Sequence, residues 1–343
     1  MHRSGKTGGV LFRTDGGRIK GLSLGHVFRC LALAREFRDR YSIAPTFMMK
    51  DLEAGVRVVE DAGFEVQRLA VEIDEDTVTG EIIRRPETAI VFDLPGPPRS
   101  TFQRLADARK RIIVIEDLRS SPNGPELTVN GNVAFAQDCS AATSAEARCF
   151  LGPKYAVLGH EFDRSLERTT TKRVEKILVT CGGSDPTGLT VKIIGMLNDC
   201  STDAVISVAL GPGFSDDGAL RDIVRDSAIR YEFHRNVDDL GSLMRDAGFA
   251  VATAGRTAYE LAATGTPTLL IPSIDHEETA ARAFSAAGCA LTISLGGHGD
   301  FPDAFARMLS DADLRASQSR NGPLLVDGKG RHRVARIIKE QCR

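Results

Sequence analysis

Short continuous apolar runs alternate along this chain with stretches whose apolar residues recur at helical spacing, a pattern that predicts strands and helices in turn. Gly8 to Thr14, "GGVLFRT", reads as a strand. The helix predicted after it starts near His26 and carries Val27, Cys30, Leu31, Ala34 and Phe37 at helical spacing. "APTFMMK" (44–50) reads as a second strand and "LEAGVRVVEDAGF" (52–64) as an amphipathic helix. Thr88–Leu94, "TAIVFDL", and Arg111–Asp117, "RIIVIED", are continuous apolar runs with a carboxylate at or near the end. Such runs suit strands of a parallel sheet covered on both faces. A carboxylate at the C-terminal end of such a strand lies on the edge where open α/β sheets take their ligands.

The pattern restarts after "GPKYAVLGHEF" (152–162). "KILVTCGGSDPTGLTVKIIGML" (176–197) reads as strand, glycine turn and helix, and "DAVISVALG" (203–211) as another strand. "NVDDLGSLMRDA" (236–247) is helical, "FAVAT" (249–253) a strand, "RTAYELAATG" (256–265) a helix and "TPTLLIP" (266–272) a strand. Gly265 followed by a proline is a usual helix stop. The tail, "RHRVARIIKEQCR" (331–343), has the pattern of a basic amphipathic helix packed on a surface. No short-period repeat is present. At 343 residues the chain suits two α/β domains of about 150 residues each, here placed at 1–160 and 161–343.

Composition removes several classes of function. With 42% hydrophobic and 26% charged residues the chain is of globular type. A net charge of −2 and the lack of a long basic run do not favour nucleic acid. No apolar stretch approaches the roughly 20 residues of a membrane span, and "MHRSGKTGGVLF" lacks the apolar core of a signal peptide. Seven scattered cysteines without CxxC spacing point to reduced thiols in a cytoplasmic protein, and against a disulfide frame or a zinc site. No Trp and four Tyr leave few platforms for stacking.

Two stretches carry candidate chemistry. Cys181–Gly188, "CGGSDPTG", joins a strong strand to a strong helix, so its glycines and the helix end suit an approaching phosphate. A tight strand–helix turn uses glycine equally well, and neither common nucleotide fingerprint is present. "RSGKTGG" near the start has a GKT but no preceding strand, and is not a P-loop. In Ala252–Pro272, Thr257 can cap the next helix and Glu260 falls in its predicted first turn. A carboxylate there can chelate the diol of a ribose, or reach back to its own cap as a capping box does.

His26 is an unusual residue for a helix entrance, where Ser, Thr, Asp and Asn are preferred; Ser23 can supply part of a cap. Gly25 leaves space beside the ring, and the positive helix end disfavours an imidazolium. A neutral imidazole there is a candidate general base, and a structural histidine is the competing reading. Asp15, just beyond Arg13 at the end of the first strand, can orient that ring or bind substrate. His160, His234, His276, His298 and His332 show no metal-ligand spacing, and "DHEE" (275–278) reads as a solvated helix start.

Taken together these stretches resemble the PseG/SpsG-type nucleotide-sugar hydrolases of pseudaminic acid biosynthesis, within the MurG-like GT-B group. "FRTDGGRIKGLSLGHVFRCLALA" (12–34) is similar to R-x-D followed by G-x-G-H-x-x-R-x-x-x-L-A. "GPKYAVLGHEF", "ILVTCGGSDPTGLTVKI" (177–193) and "TAGRTAYELAATGTPTLLIP" (253–272) follow in family order and span most of the chain. The resemblance implies a GT-B architecture, two Rossmann-like parallel-sheet domains with an interdomain cleft. It implies hydrolysis of a UDP-activated amino- or deoxy-sugar, such as a UDP-2,4-diacetamido-2,4,6-trideoxy-hexose, to UDP and free sugar. His26 would be the base that activates water, with Asp15 beside it. Arg13, Gly25, Arg29 and Asp93 would serve the sugar. Gly182, Gly183 and Ser184 would approach the diphosphate, Gly255, Arg256 and Thr257 would line its other side, and Glu260 would take the ribose. No metal or cofactor is implied. The partners expected are a UDP-sugar and no nucleic acid, for a monomer or weak homodimer.

Three positions depart from the family pattern. Ser23 replaces the first glycine of G-x-G-H, "FDLPGPP" (92–98) keeps only the aspartate of an Asp-His-Tyr-like stretch, and "IDHEE" stands where Asn-Gln is usual. A GT-B glycosyltransferase and a nucleotide-sugar binding protein without chemistry are the competing readings.

Overall fold

All five residues of Val10–Thr14 are buried, as are all five of Ala89–Asp93. Strands so fully enclosed must be covered on both sheet faces, and the alternation of their side chains shows how. Val10 and Phe12 join one core cluster with Val27, Cys30 and Phe37, whereas Leu11 joins another with Met48, Ile90 and Phe102. The computed structural model describes residues 9–17, 24–94, 99–115, 126–135, 149–163, 168, 171–183, 185–215 and 217–342, without the side chains of Arg99, Asp217, His276 and His298. It divides into two compact units, Met1–Gly159 with Lys329–Arg343, and His160–Gly328.

In the first unit β1 (Val10–Thr14), α1 (Gly25–Tyr41), β2 (Thr46–Lys50), α2 (Glu53–Asp61), β3 (Val66–Leu69), α3 (Glu75–Arg84), β4 (Ala89–Asp93), α4 (Arg99–Asp107), β5 (Arg111–Ile115), β6 (Leu127–Asn130) and β7 (Cys149–Leu151) follow in chain order. The strands form one seven-stranded sheet, β3-β2-β1-β4-β5-β6-β7. Every described pair is parallel. The order turns back between β1 and β4, where Thr14 pairs with Asp93. Ligands of doubly wound sheets bind at the carboxyl ends of the strands beside such a reversal.

The second unit repeats the plan with β8 (Lys176–Thr180), α5 (Leu189–Asn198), β9 (Val205–Leu210), α6 (Asp217–Val224), β10 (Tyr231–Arg235), α7 (Leu240–Asp246), β11 (Phe249–Ala252), α8 (Arg256–Ala263), β12 (Thr268–Leu270), α9 (Asp275–Ala286), β13 (Leu291–Thr292), α10 (Phe301–Ser310) and α11 (Ala312–Leu325). Its parallel sheet has the order β10-β9-β8-β11-β12-β13 and turns back between β8 and β11.

The last helix, α12 (Gly330–Gln341), differs from the expected boundary at 160/161. It packs in the first unit. Val334, Ala335 and Ile338 enter the core around Phe37, and Cys342 just beyond joins them. Buried Glu36 of α1 accepts from Arg331 Nε at 3.2 Å and pairs with His332 Nδ1 at 2.8 Å. The amphipathic pattern of the tail announces a buried stripe but carries no information on which sheet receives it.

Candidate active site

The reversal in the first unit brings together residues from β1, α1 and β4. α1 begins at Gly25, with Leu24 in the capping position and no side-chain cap, so His26 is its second residue. Ser23 lies outside the described residues, as do Pro95–Pro98, Glu116 and Asp117. His26 Nδ1 lies 2.6 Å from Asp93 Oδ1, and the ring keeps 27% of its surface exposed. Asp93 is fully buried, and Arg29, one turn after His26, grips it with both arms of its fork. Nε donates to Oδ2 at 2.6 Å and Nη2 donates to Oδ1. Burial by itself raises the Asp93 carboxyl, but the Arg29 charge and the His26 hydrogen bond outweigh it and hold it at about 2. An ionised carboxylate only accepts hydrogen bonds, so the short contact places a proton on His26 Nδ1. In the neutral ring Nε2 carries the lone pair, the arrangement in which a histidine acts as a general base.

The residue that orients His26 is therefore Asp93, and not Asp15 as the sequence allowed. Asp15 Oδ1 instead accepts from Arg13 Nη1 and from the Lys50 backbone N–H, each at 2.7 Å, which ties the end of β1 to β2. Arg13 is 1% exposed, and its Nε and Nη2 have no partner among the described residues. It sits within the fold and not on the surface. Arg29 is likewise engaged with Asp93 and almost fully covered, so its role reaches the ring through that carboxylate. Cys30, the next residue, places Sγ 3.6 Å from Asp93 Oδ2; burial and the neighbouring anion push its thiol well up.

The second constellation lies at the reversal of the other sheet, on the loops after β8 and β11. Gly182 has a φ of +81°, a left-handed conformation that favours glycine, and the position of its absent Cβ faces Thr257 Oγ1 at 3.8 Å. Ser184 lies outside the described residues. The start of α5 is not open to a phosphate, contrary to the expectation from "CGGSDPTG". Asp185 Oδ1 accepts from Leu189 N at 2.8 Å and Oδ2 accepts from Thr190 N at 2.7 Å, so the chain's own carboxylate occupies that helix end.

α8 differs. Its capping position is Gly255, with no side-chain cap and no acid in the first turn. Thr257 is the second helical residue and does not cap, and Glu260 is the fifth, beyond the first turn. Glu260 also does not reach back to a cap. Arg256 Nε donates to Glu260 Oε1 at 2.9 Å. Burial raises the Glu260 carboxyl against the opposing pull of Arg256. A desolvated carboxylate with a specific cationic partner beside a helix start without a side-chain cap makes this end of α8 a candidate site.

Glu277 belongs to "DHEE", which has the composition of an exposed helix start. The structure buries it to 7% exposure. Its Oε2 accepts from Thr253 Oγ1 at 2.6 Å and from Ser273 N and Oγ at 2.8 Å, joining the loops after β11 and β12. Its Oε1 stands 2.9 Å from where a Cβ on Gly255 would lie. Among the described residues no group of three His, Cys, Asp or Glu side chains can hold a metal, and no helix is long and apolar enough to cross a membrane.

No family model matches the chain. It is 26% identical over 336 residues to the spore coat polysaccharide biosynthesis protein SpsG of Bacillus subtilis, covering 95% of this chain and 96% of that protein. It is 28% identical over 268 residues to an uncharacterized protein of Methanocaldococcus jannaschii, a match that takes in 75% of this chain and only 54%, about half, of that relative. Among solved structures it is similar to MurG of Acinetobacter baumannii, with a TM-score of 0.68 at 13% identity over 97% of this chain and 99% of that one. S. aureus MnaA, solved with UDP, matches with a TM-score of 0.60 at 12% identity over 95% and 94% of the two chains. These neighbours establish the fold, two Rossmann-like units of the GT-B class. The similarity to SpsG expected from the motifs runs over nearly the whole chain.

Proposed function

We propose, for a chain similar to SpsG and folded as GT-B enzymes are, that it hydrolyses a UDP-activated amino- or deoxy-sugar, with His26 as the base. The observation that carries this reading is the 2.6 Å contact between His26 Nδ1 and an ionised, buried Asp93, at the strand edge where such sheets act. Nε2 of the neutral ring takes a proton from water as the water oxygen attacks the anomeric carbon. The bond from that carbon to the diphosphate oxygen breaks, and UDP leaves as an anion. In this reading the uncapped N-terminus of α8 receives the diphosphate, where backbone N–H groups and the helix dipole favour negative charge. Glu260 accepts from the ribose hydroxyls.

Transfer to an alcohol acceptor is the second reading, supported by a fold likeness to MurG. The same imidazole would then deprotonate an acceptor hydroxyl in place of water. Incubating the protein with a panel of UDP- and CMP-sugars, with and without acceptors, and weighing the products by mass spectrometry separates the two. Free sugar and UDP without acceptor, abolished by His26→Ala and His26→Asn, are expected. Turnover only when an acceptor is added would replace hydrolysis by transfer, and intact sugar nucleotide under every condition would reject both.

A further inference from the structure

We propose that Arg29 is the positioning residue of this site, holding both oxygens of Asp93 so that the His26 imidazole stays uncharged and able to take a proton at neutral pH. The inference rests on the reading of His26 as the base. A buried carboxylate alone beside an imidazole favours the imidazolium, because the opposite charges attract strongly where water is excluded. A ring already carrying the extra proton is no base. The geometry here counters that tendency in two ways.

First, the guanidinium supplies the countercharge to Asp93 directly, Nε on Oδ2 at 2.6 Å and Nη2 on Oδ1, so the anion is compensated before the ring is considered. Second, Nη2 stands 3.1 Å from His26 Nδ1, close enough to oppose a second positive charge on the ring. The remaining described groups around the pair do not change the balance. Cys30 Sγ meets Asp93 Oδ2 at 3.6 Å as an uncharged thiol. Thr14 Oγ1 donates to the main-chain oxygen of Asp93 at 2.9 Å. Arg13 and Asp15, at the end of β1, form an ion pair with each other. A lysine at position 29 would keep the charge but lose the two-armed grip that also fixes the plane of the carboxylate.

The test compares wild type, Arg29→Gln and Arg29→Lys in the full chain. It reads the pH profile of UDP release, the ring nitrogen NMR signals of His26 at pH 7, and thermal unfolding as a check of integrity. Arg29→Gln is expected to move the acid limb of the profile upward by about one pH unit or more, and to give imidazolium-type ring signals where wild type gives neutral ones. Arg29→Lys moves the limb less. Adding Asp93→Asn to Arg29→Gln removes the anion as well and brings the limb back down. A folded Arg29→Gln with an unshifted limb and unchanged ring signals would overturn the proposal. Should Arg29→Gln not fold, an Arg29→Lys profile superposable on wild type would do the same. The NMR readout needs no turnover, so it judges Arg29 even if His26→Ala retains activity and the base assignment falls.

Discussion

His26, Arg29 and Asp93 form one hydrogen-bonded group of three side chains, and Asp93 is the member whose loss touches both others. Asp93→Asn removes the negative charge and one of the two acceptor oxygens, so a carboxylate no longer sets the His26 tautomer and the buried Arg29 charge has no counterion there. UDP release is expected to fall about 10²- to 10⁴-fold, the range for a disabled general base, and stability by about 3–5 kcal/mol. Wild-type turnover from a folded Asp93→Asn would remove Asp93 from the mechanism. The same carboxyl makes a pH prediction. Its folded value, about 2, lies below the usual aspartate range, so its contribution is present at neutral pH and is lost as pH falls from about 4 toward 2. Acid unfolding followed by circular dichroism should show that the Asp93→Asn protein lacks this part of the wild-type loss. In the other unit, Glu260→Ala is expected to weaken UDP binding by about 1.5–3 kcal/mol if its charged hydrogen bonds hold the ribose; calorimetry showing unchanged affinity would leave Glu260 as the partner of Arg256 alone.

The two glycine-rich helix starts look alike in sequence and behave differently in the fold. α5 is closed by Asp185, so Asp185→Ala should cost about 1 kcal/mol, as the loss of a cap does, and should leave UDP affinity within twofold if phosphate binds elsewhere. A large loss of affinity would return the diphosphate to α5. At α8, Gly255→Ala drives a Cβ to 2.9 Å from Glu277 Oε1, in a side chain pinned through its other oxygen by three hydrogen bonds. It should cost about 1–3 kcal/mol by overpacking and weaken UDP binding. Strand positions were well read from the apolar runs: "VLFRT", "AIVFD", "KILVT" and "FAVA" are β1, β4, β8 and β11. Those strands are enclosed on both sides, which forces an unbroken apolar signature. β10, with Glu232 and Arg235 among its five residues, lies at the sheet edge and gives no such run. The cap of α8 was misread for a related reason. Thr257 is an acceptable cap by type, and only the path of the backbone decides whether its oxygen reaches a free N–H.

Across the whole chain, the two-sheet plan was legible, because it rests on local periodicity. The His26–Asp93 contact and the burial of Glu277 were not, since they join residues 67 and 24 positions apart, the latter through Thr253. The docking of the tail was hidden for the same reason. Removing residues 329–343 exposes the part of the first core that Val334 and Ile338 cover, at roughly 1.5–3 kcal/mol for each large apolar side chain. The unfolding midpoint of the first unit should drop by several degrees or more; an unchanged midpoint would deny the tail a place in that core. What the protein does is decided most directly by one assay: a purified UDP-sugar substrate, no acceptor, and quantitation of UDP and free sugar over time. Equal amounts of both from wild type, with neither from folded His26→Asn, are the expected result. A sugar nucleotide consumed at the same rate by His26→Asn would contradict it.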